Sequence, residues 1–264
     1  MFDSGFGGLT VARAVMDLLP DETLVYLGDT ARYPYGSRPL EEVAGFAHQI
    51  AEELVERWGV KLLVVACNTA AAAALDSLTR DVGVPVVGVI EPGARALLEA
   101  TVTGRVGVIG TVGTIESGAY QDAVAELAET AREAELEALA CPGFVEFVER
   151  GEFRGHQVQV LAERLLAPAI EAKVDTLLLG CTHYPYLART ISEVMGADVM
   201  LVSSADETAF EVRRVLHDRG LAAAARPDPA PATFITTGDV NSFEELGRTL
   251  LGPELASARQ VRLP

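Results

Sequence analysis

Two stretches of the chain place a cysteine identically: Lys61-Leu-Leu-Val-Val-Ala-Cys67-Asn68-Thr69 and Asp175-Thr-Leu-Leu-Leu-Gly-Cys181-Thr182-His183. Each is an apolar run, a small residue, a thiol, and then polar residues that open a helix. Asn68 and Thr69 are good N-cap types, and the five alanines that follow start a helix strongly. A thiol at such a helix start faces unpaired N–H groups and the positive end of the dipole, which stabilise thiolate and lower the pKa from about 8.5. At Cys181 the pattern recurs with a titratable imidazole added, His183, and Pro185 where a first helical position tolerates it. A thiolate so placed can act as a base or as a nucleophile.

The ordinary fate of a free cysteine is burial as a small hydrophobe. Matching strand ends beside polar helix starts set Cys67 and Cys181 apart from that fate. Cys141, in Ala140-Cys141-Pro142-Gly143, lacks the polar pair and is expected to pack. A zinc set of Cys67, Cys141, Cys181 and His183 is disfavoured because no close C-x-x-C pair exists. Other strand ends carry polar clusters. Asp3-Ser4-Gly5-Phe6-Gly7-Gly8 is a glycine-rich turn that can present N–H groups to an anion beside a carboxylate, and Gly110-Thr111-Val112-Gly113-Thr114 offers a second cradle. The aromatic, proline and glycine content of Gly28-Asp29-Thr30-Ala31-Arg32-Tyr33-Pro34-Tyr35-Gly36 suits a rigid pocket wall. Arg32 serves there either a ligand or a loop-fixing ion pair.

The elements that must position these residues follow from hydrophobic rhythm. Short β-branched runs alternate with longer amphipathic stretches. Strands are expected near 24–27, 62–66, 86–89, 105–109, 136–140, 176–180, 199–202 and 233–237. Helices are expected near 8–19, 39–58, 70–81, 92–102, 115–133, 155–172, 186–195, 204–219 and 241–251. This is a parallel, doubly wound α/β pattern, in which ligands bind beyond the carboxyl ends of the strands. The repeated cysteine segment predicts two similar α/β domains, one discontinuous over 1–92 plus 203–264 and one over 93–202. The low-complexity stretch Ala222 to Pro231 is expected as a surface loop inside the first.

Composition limits the partners. With 21 Lys and Arg against 38 Asp and Glu, the chain carries a net charge of -17. Residues 93–202 hold 16 acids and 8 bases, and the remainder 22 and 13, so the charge is spread evenly. Such a surface repels phosphate backbones, and no nucleic-acid partner is expected. No apolar run approaches the roughly 20 residues that span a bilayer, so no membrane association is expected. The start Met1-Phe2-Asp3-Ser4-Gly5 has no secretory character, and the three cysteines are expected as reduced thiols, both of which point to a cytoplasmic protein.

Taken together, Asp3-Ser-Gly-Phe-Gly-Gly, Gly28-Asp-Thr-Ala-Arg-Tyr-Pro-Tyr-Gly36, Cys67-Asn-Thr69, Glu91-Pro-Gly93 and Gly180-Cys-Thr-His-Tyr-Pro185 closely resemble the glutamate racemases, of the cofactor-independent aspartate/glutamate racemase superfamily. The resemblance runs over nearly the whole chain, least diagnostically over the last 60 residues. It implies two α/β domains with an active site in the interdomain cleft, interconversion of L- and D-glutamate for peptidoglycan, no cofactor, and association as a homodimer. It makes Cys67 and Cys181 the acid/base pair, with Asp3 assisting the first and His183, with Glu149, the second. Substrate contacts fall to Asp3, Ser4, Tyr35, Gly36, Asn68, Thr69, Thr182 and His183. Relatives carry a few apolar residues before Phe-Asp-Ser. Their lack here means either that the start is misassigned or that the first strand is curtailed, and it predicts a less firmly held Asp3 and lower stability or activity than in a chain extended by about five apolar residues.

The residues suit that chemistry independently. Racemisation removes a proton from one face of the α-carbon and returns one to the other, which two opposed bases achieve without a swing. One cysteine must be thiolate while the other is thiol, so their titrations are coupled. A pyridoxal mechanism needs a Schiff-base lysine. Lys61 and Lys173 are the only lysines, and both precede their strands, at the end of the sheet away from the thiols. The substrate carboxylates must then be held by backbone N–H groups and by the hydroxyls of Ser4, Thr69, Thr114 and Thr182. The rivals are racemisation of another acidic amino acid such as aspartate, a cysteine-nucleophile hydrolase with His183 as base, and a non-catalytic α/β binding protein.

Overall fold

A computed structural model describes residues 1–128 and 133–263, and the chain divides into two compact units, Met1–Val89 with Ala205–Pro264 and Ile90–Ser204. Each unit is an α/β fold around one parallel sheet.

The first unit opens with Phe2–Asp3 (β1), Leu9–Leu18 (α1), Leu24–Gly28 (β2), Leu40–Glu52 (α2), Leu63–Val65 (β3), Asn68–Asp81 (α3) and Val86–Gly88 (β4). β3 is apolar and buried at every position, as a strand covered on both faces must be. α3 buries Ala70, Ala71, Ala74 and Leu78, a stripe at helical spacing. Leu78 is fully buried, and Leu78→Ala would cost about 2–5 kcal/mol through the cavity it leaves.

The second unit continues with Ile90–Ala100 (α4), Arg105–Gly110 (β5), Val112–Glu116 (α5), Ala119–Ala128 (α6), Glu135–Ala140 (β6), Phe144–Glu149 (α7), His156–Glu171 (α8), Thr176–Leu179 (β7), Ala188–Met195 (α9) and Met200–Ser203 (β8). The chain then returns to the first unit with Ser204–Asp218 (α10), Ala232–Thr236 (β9), Val240–Leu251 (α11) and Ala258–Gln260 (β10).

The six-stranded sheet runs β10-β9-β2-β1-β3-β4, and the four-stranded sheet β6-β5-β7-β8. In the first, β1 lies centrally, with Phe2 opposite both Leu27 and Val65. The order of connections reverses between β1 and β3 in one sheet and between β5 and β7 in the other. These are the switch points at which open α/β sheets leave a crevice beyond their carboxyl ends.

Several elements differ from expectation for identifiable reasons. The long helix expected to 58 ends at Glu52, and Glu53–Arg57 continue as a π-helical turn. The helix expected over 115–133 is two helices interrupted at Gly118, whose φ of 77° breaks the helical path, and residues 129–132 lie outside the described residues. β1, α7 and β10 are absent from the hydrophobic rhythm, although the resemblance implied the short first strand that β1 is. Although β1 spans two residues, Asp3 is completely buried, its main-chain carbonyl accepting from Asp29 N–H at 3.0 Å. No described helix is long and apolar enough to cross a membrane.

Candidate active site

In the first unit the carboxyl ends of β1, β2 and β3 bring together Asp3, Ser4, Tyr35, Gly36, Cys67, Asn68 and Thr69. Cys67 is the N-cap of α3, with extended backbone at φ -78°, ψ 122°. Its carbonyl accepts the Ala71 N–H at 2.8 Å, so the amides just before Ala71 have no carbonyl one turn back within the helix. These N–H groups place positive partial charge at the end of the helix that Cys67 caps. The Cys67 thiol lies 3.7 Å from Ser4 Oγ, and both residues are buried. Asn68 and Thr69 are each 2% exposed.

The glycine-rich turn after β1 folds tightly over the same place. Gly5 N–H donates to Asp3 Oδ1 at 2.8 Å. A Cβ on Gly8 would stand 2.7 Å from Asp3 Cβ and 3.0 Å from that of Ala66, so α1 can begin this close to the site only with glycine there.

The Tyr35 side chain is committed within its own loop. Its hydroxyl donates to Asp29 Oδ2, and its ring, 1% exposed, packs against Phe46 at 5.6 Å between centroids. Burial first, and then the neighbouring Asp29 carboxylate, hold this phenol far above its usual pKa. What Tyr35 and Gly36 have to offer a ligand is main chain. Arg32 takes the loop-fixing role: Nε donates to Asp29 Oδ2 at 2.7 Å and the guanidinium lies 4.2 Å over Phe46. Asp29 is thus the anchor of the loop, a role that sequence reasoning missed. The available signal was a carboxylate directly after a strand, with Arg and Tyr three and six residues on.

In the second unit the carboxyl ends of β5, β6 and β7 carry Thr114, Glu149, Cys181, Thr182 and His183. Thr114 lies in the first turn of α5, its N–H donating to the capping Thr111 Oγ1 at 3.3 Å. The setting of Cys181 is not a copy of that of Cys67. Residues Tyr184–Leu187 form a 3₁₀ turn before α9 starts, with Pro185 in its first turn. Helix-dipole support is correspondingly weaker here, and a side-chain chain stands in its place. Cys181 Sγ is 3.9 Å from His183 Nδ1, and His183 Nε2 is 3.0 Å from Glu149 Oε1. An ionised Glu149 accepts Nε2–H, which leaves the Nδ1 lone pair facing the thiol. The short helix α7 delivers Glu149 at its last turn, anchored by Phe144 and Val148, both fully buried.

Cys141 is a core residue. It is 1% exposed among Phe144, Tyr184 and Leu187, and the Tyr184 hydroxyl donates to its carbonyl at 3.0 Å. Burial, reinforced by the nearby Cys181, pushes its thiol up to about 12. Lys61 Nζ pairs with Glu22 at 2.7 Å at the amino end of the sheet, away from Cys67. Among the described residues, no group of three or more His, Cys, Asp or Glu is arranged to hold a metal ion.

Residues 10–211 match the Asp/Glu/Hydantoin racemase family. The chain is 54% identical over 257 residues to a glutamate racemase of Parafrankia, covering 97% of this chain and 91% of that protein. It is 51% identical to the glutamate racemase of Mycobacterium leprae, covering 100% and 95%. Its fold is similar to that of a glutamate racemase isoform from Bacillus anthracis, with a TM-score of 0.93 at 42% identity, covering 100% of this chain and 96% of that one. A glutamate racemase from Francisella tularensis, solved in complex with D-glutamate, matches with a TM-score of 0.89 at 31% identity over 98% of this chain and 95% of that one. With its two thiols each at the switch point of a parallel sheet, the chain belongs to the Asp/Glu/hydantoin racemase family, among the glutamate racemases.

Proposed function

We propose that the protein interconverts L- and D-glutamate by a two-thiol proton exchange, supplying D-glutamate for peptidoglycan in the cytoplasm. One cysteine, as thiolate, takes the α-proton; the other, as thiol, returns a proton to the opposite face, and the protonation states are exchanged at the end of the turnover. The observation that carries the reading is the pair of cysteines with separate support. Cys67 has the N-terminus of α3 and Ser4, with Asp3 on the neighbouring strand, and Cys181 has His183 and Glu149.

The substrate carboxylates are held by donors that carry no full charge: the first amides of α3, the main chain of Tyr35 and Gly36, and the hydroxyls of Ser4, Thr69, Thr114 and Thr182. This choice fits a chain of net charge -17, in which local N–H and O–H groups must outweigh the average field. Glutamate is favoured over aspartate because the relatives at about half identity are glutamate racemases.

Circular dichroism of the purified protein with L-glutamate, and separately with L-aspartate, tests the reading without added cofactor or metal. Decay of the glutamate signal to zero with little change in aspartate is expected. The reverse preference would overturn the substrate assignment. Association as a homodimer accompanies the proposal, with light scattering as its check.

A further inference from the structure

The last strands of the first unit carry a feature that the two-thiol reading does not use. At the end of β9, Thr236 and the following Thr237 and Gly238 meet the start of the Gly28–Gly36 loop, about 200 residues away in sequence. Thr237 Oγ1 donates to Asp29 Oδ1 at 2.7 Å and accepts from Ala31 N–H at 3.0 Å. Thr30 Oγ1 and Thr236 Oγ1 stand 2.6 Å apart, and Gly238 N–H donates to Thr30 Oγ1 at 3.2 Å. A Cβ on Gly238 would stand 2.5 Å from that same Thr30 oxygen, so the clasp closes only because residue 238 is glycine.

Asp29 distributes this hold. Oδ1 takes the Thr237 hydroxyl, while Oδ2 takes the Arg32 Nε and the Tyr35 hydroxyl. The carboxylate is fully buried, and three donors shared over both oxygens hold its rotamer. Through it the position of Thr237 sets that of Tyr35 and hence the main chain of Tyr35 and Gly36, which the proposed function assigns to substrate carboxylate binding.

We infer that Thr237 is a positioning residue for substrate binding, acting through Asp29 on the Tyr35–Gly36 main chain; this rests on the glutamate racemase reading. The inference is specific to the hydroxyl. Thr237→Val keeps the shape and deletes both hydrogen bonds, leaving Asp29 with one donor fewer, whereas Thr237→Ser retains them. Loss of one such constraint is expected to raise KM for both glutamate enantiomers about tenfold in the Val variant, with a smaller change in kcat. The Ser variant should restore wild-type KM.

Two readouts on the full chain separate the outcomes. The first is racemisation kinetics of wild type, Thr237→Val and Thr237→Ser. The second, independent of turnover, is amide hydrogen exchange over residues 30–37, where faster exchange is expected in the Val variant and wild-type exchange in the Ser variant. Unchanged KM and unchanged exchange over 30–37 in Thr237→Val would overturn the inference. So would a drop in melting temperature with KM intact, which marks a merely structural role. Failure of the wild type to racemise glutamate would instead sink the functional reading, and the exchange measurement would still decide whether Thr237 positions the loop.

Discussion

Glu149 offers the sharpest test of how the two thiols differ. Its Oε1 is 3.0 Å from His183 Nε2 and its side chain is 14% exposed, so solvent screens the contact only in part. Glu149→Gln keeps the acceptor oxygen and the shape while removing the charge. A hydrogen bond with an ionised partner contributes about 1.5–3 kcal/mol and a neutral one about 1, so about 0.5–2 kcal/mol of support for the imidazole is lost. At 1.36 kcal/mol per factor of ten, kcat/KM should fall about 2- to 30-fold. Because enantiomers have equal free energy, kcat/KM must fall equally in the two directions. The asymmetry shows instead in isotope effects. When Cys181 is the base, its slowed abstraction should express a large α-deuterium effect on kcat/KM. In the opposite direction Cys67 abstracts and the slow step becomes donation by Cys181, so the α-deuterium effect should shrink and the solvent deuterium effect grow. The assay is the initial rate from each enantiomer, protonated and α-deuterated. Equal α-deuterium effects in both directions, or a variant as fast as wild type, would refute the assignment of Glu149 to the Cys181 step.

Other outcomes follow from the same geometry. At the amino end of β7, Asp175 accepts from Thr101 Oγ1 at 2.6 Å, Val102 N–H at 2.9 Å and Thr176 Oγ1 at 2.9 Å. Burial alone would raise its pKa, but hydrogen bonds from Thr101, Thr103 and Thr176 outweigh burial and hold the carboxyl well below its usual range. A depressed pKa contributes stability above the unfolded-state value and loses it as pH falls. Asp175→Asn should therefore lower stability by about 1–2 kcal/mol at pH 7, with the gap in melting temperature narrowing below about pH 4. A gap independent of pH would contradict this. Cys141, with its thiol pushed up to about 12 and 1% exposed, should resist alkylation by iodoacetamide at pH 8 in the folded protein, and mass mapping of the modified peptides checks this. Cys141→Ala should keep racemisation while lowering stability by about 1–2 kcal/mol.

Much of this was legible in the sequence because the signals were local. β3 and β7 are apolar at nearly every position, and α3 and α8 have the helical spacing of apolar residues that defines their inward faces. The polar residues at the ends of β3 and β7 sit directly after those runs, so placing these strands placed Cys67 and Cys181. What escaped was too short or too distant. β1 and β10, of two and three residues, cannot show an alternating pattern. α7 is six residues of mixed apolar and acidic character between Pro142-Gly143 and Gly151, which reads as a loop. The π-helical turn at Glu53–Arg57 has the same side-chain pattern as the α-helix it extends. Asp29 and Thr237 make one network across 208 positions, and nothing near either residue announces the other. Tyr35 lay in an evident pocket-wall segment, yet only three dimensions reveal that its hydroxyl is committed to Asp29.

Exchange of the α-proton by two thiols is decided by running Cys67→Ser, Cys181→Ser and the wild type in deuterium oxide with each glutamate enantiomer, following chirality by circular dichroism and the α-position by proton NMR. Wild type is expected to racemise both enantiomers with deuterium at the α-carbon of the product, and each single variant to lose turnover while remaining folded. Near-normal racemisation by either serine variant, or product formed with its α-proton retained throughout, would contradict it.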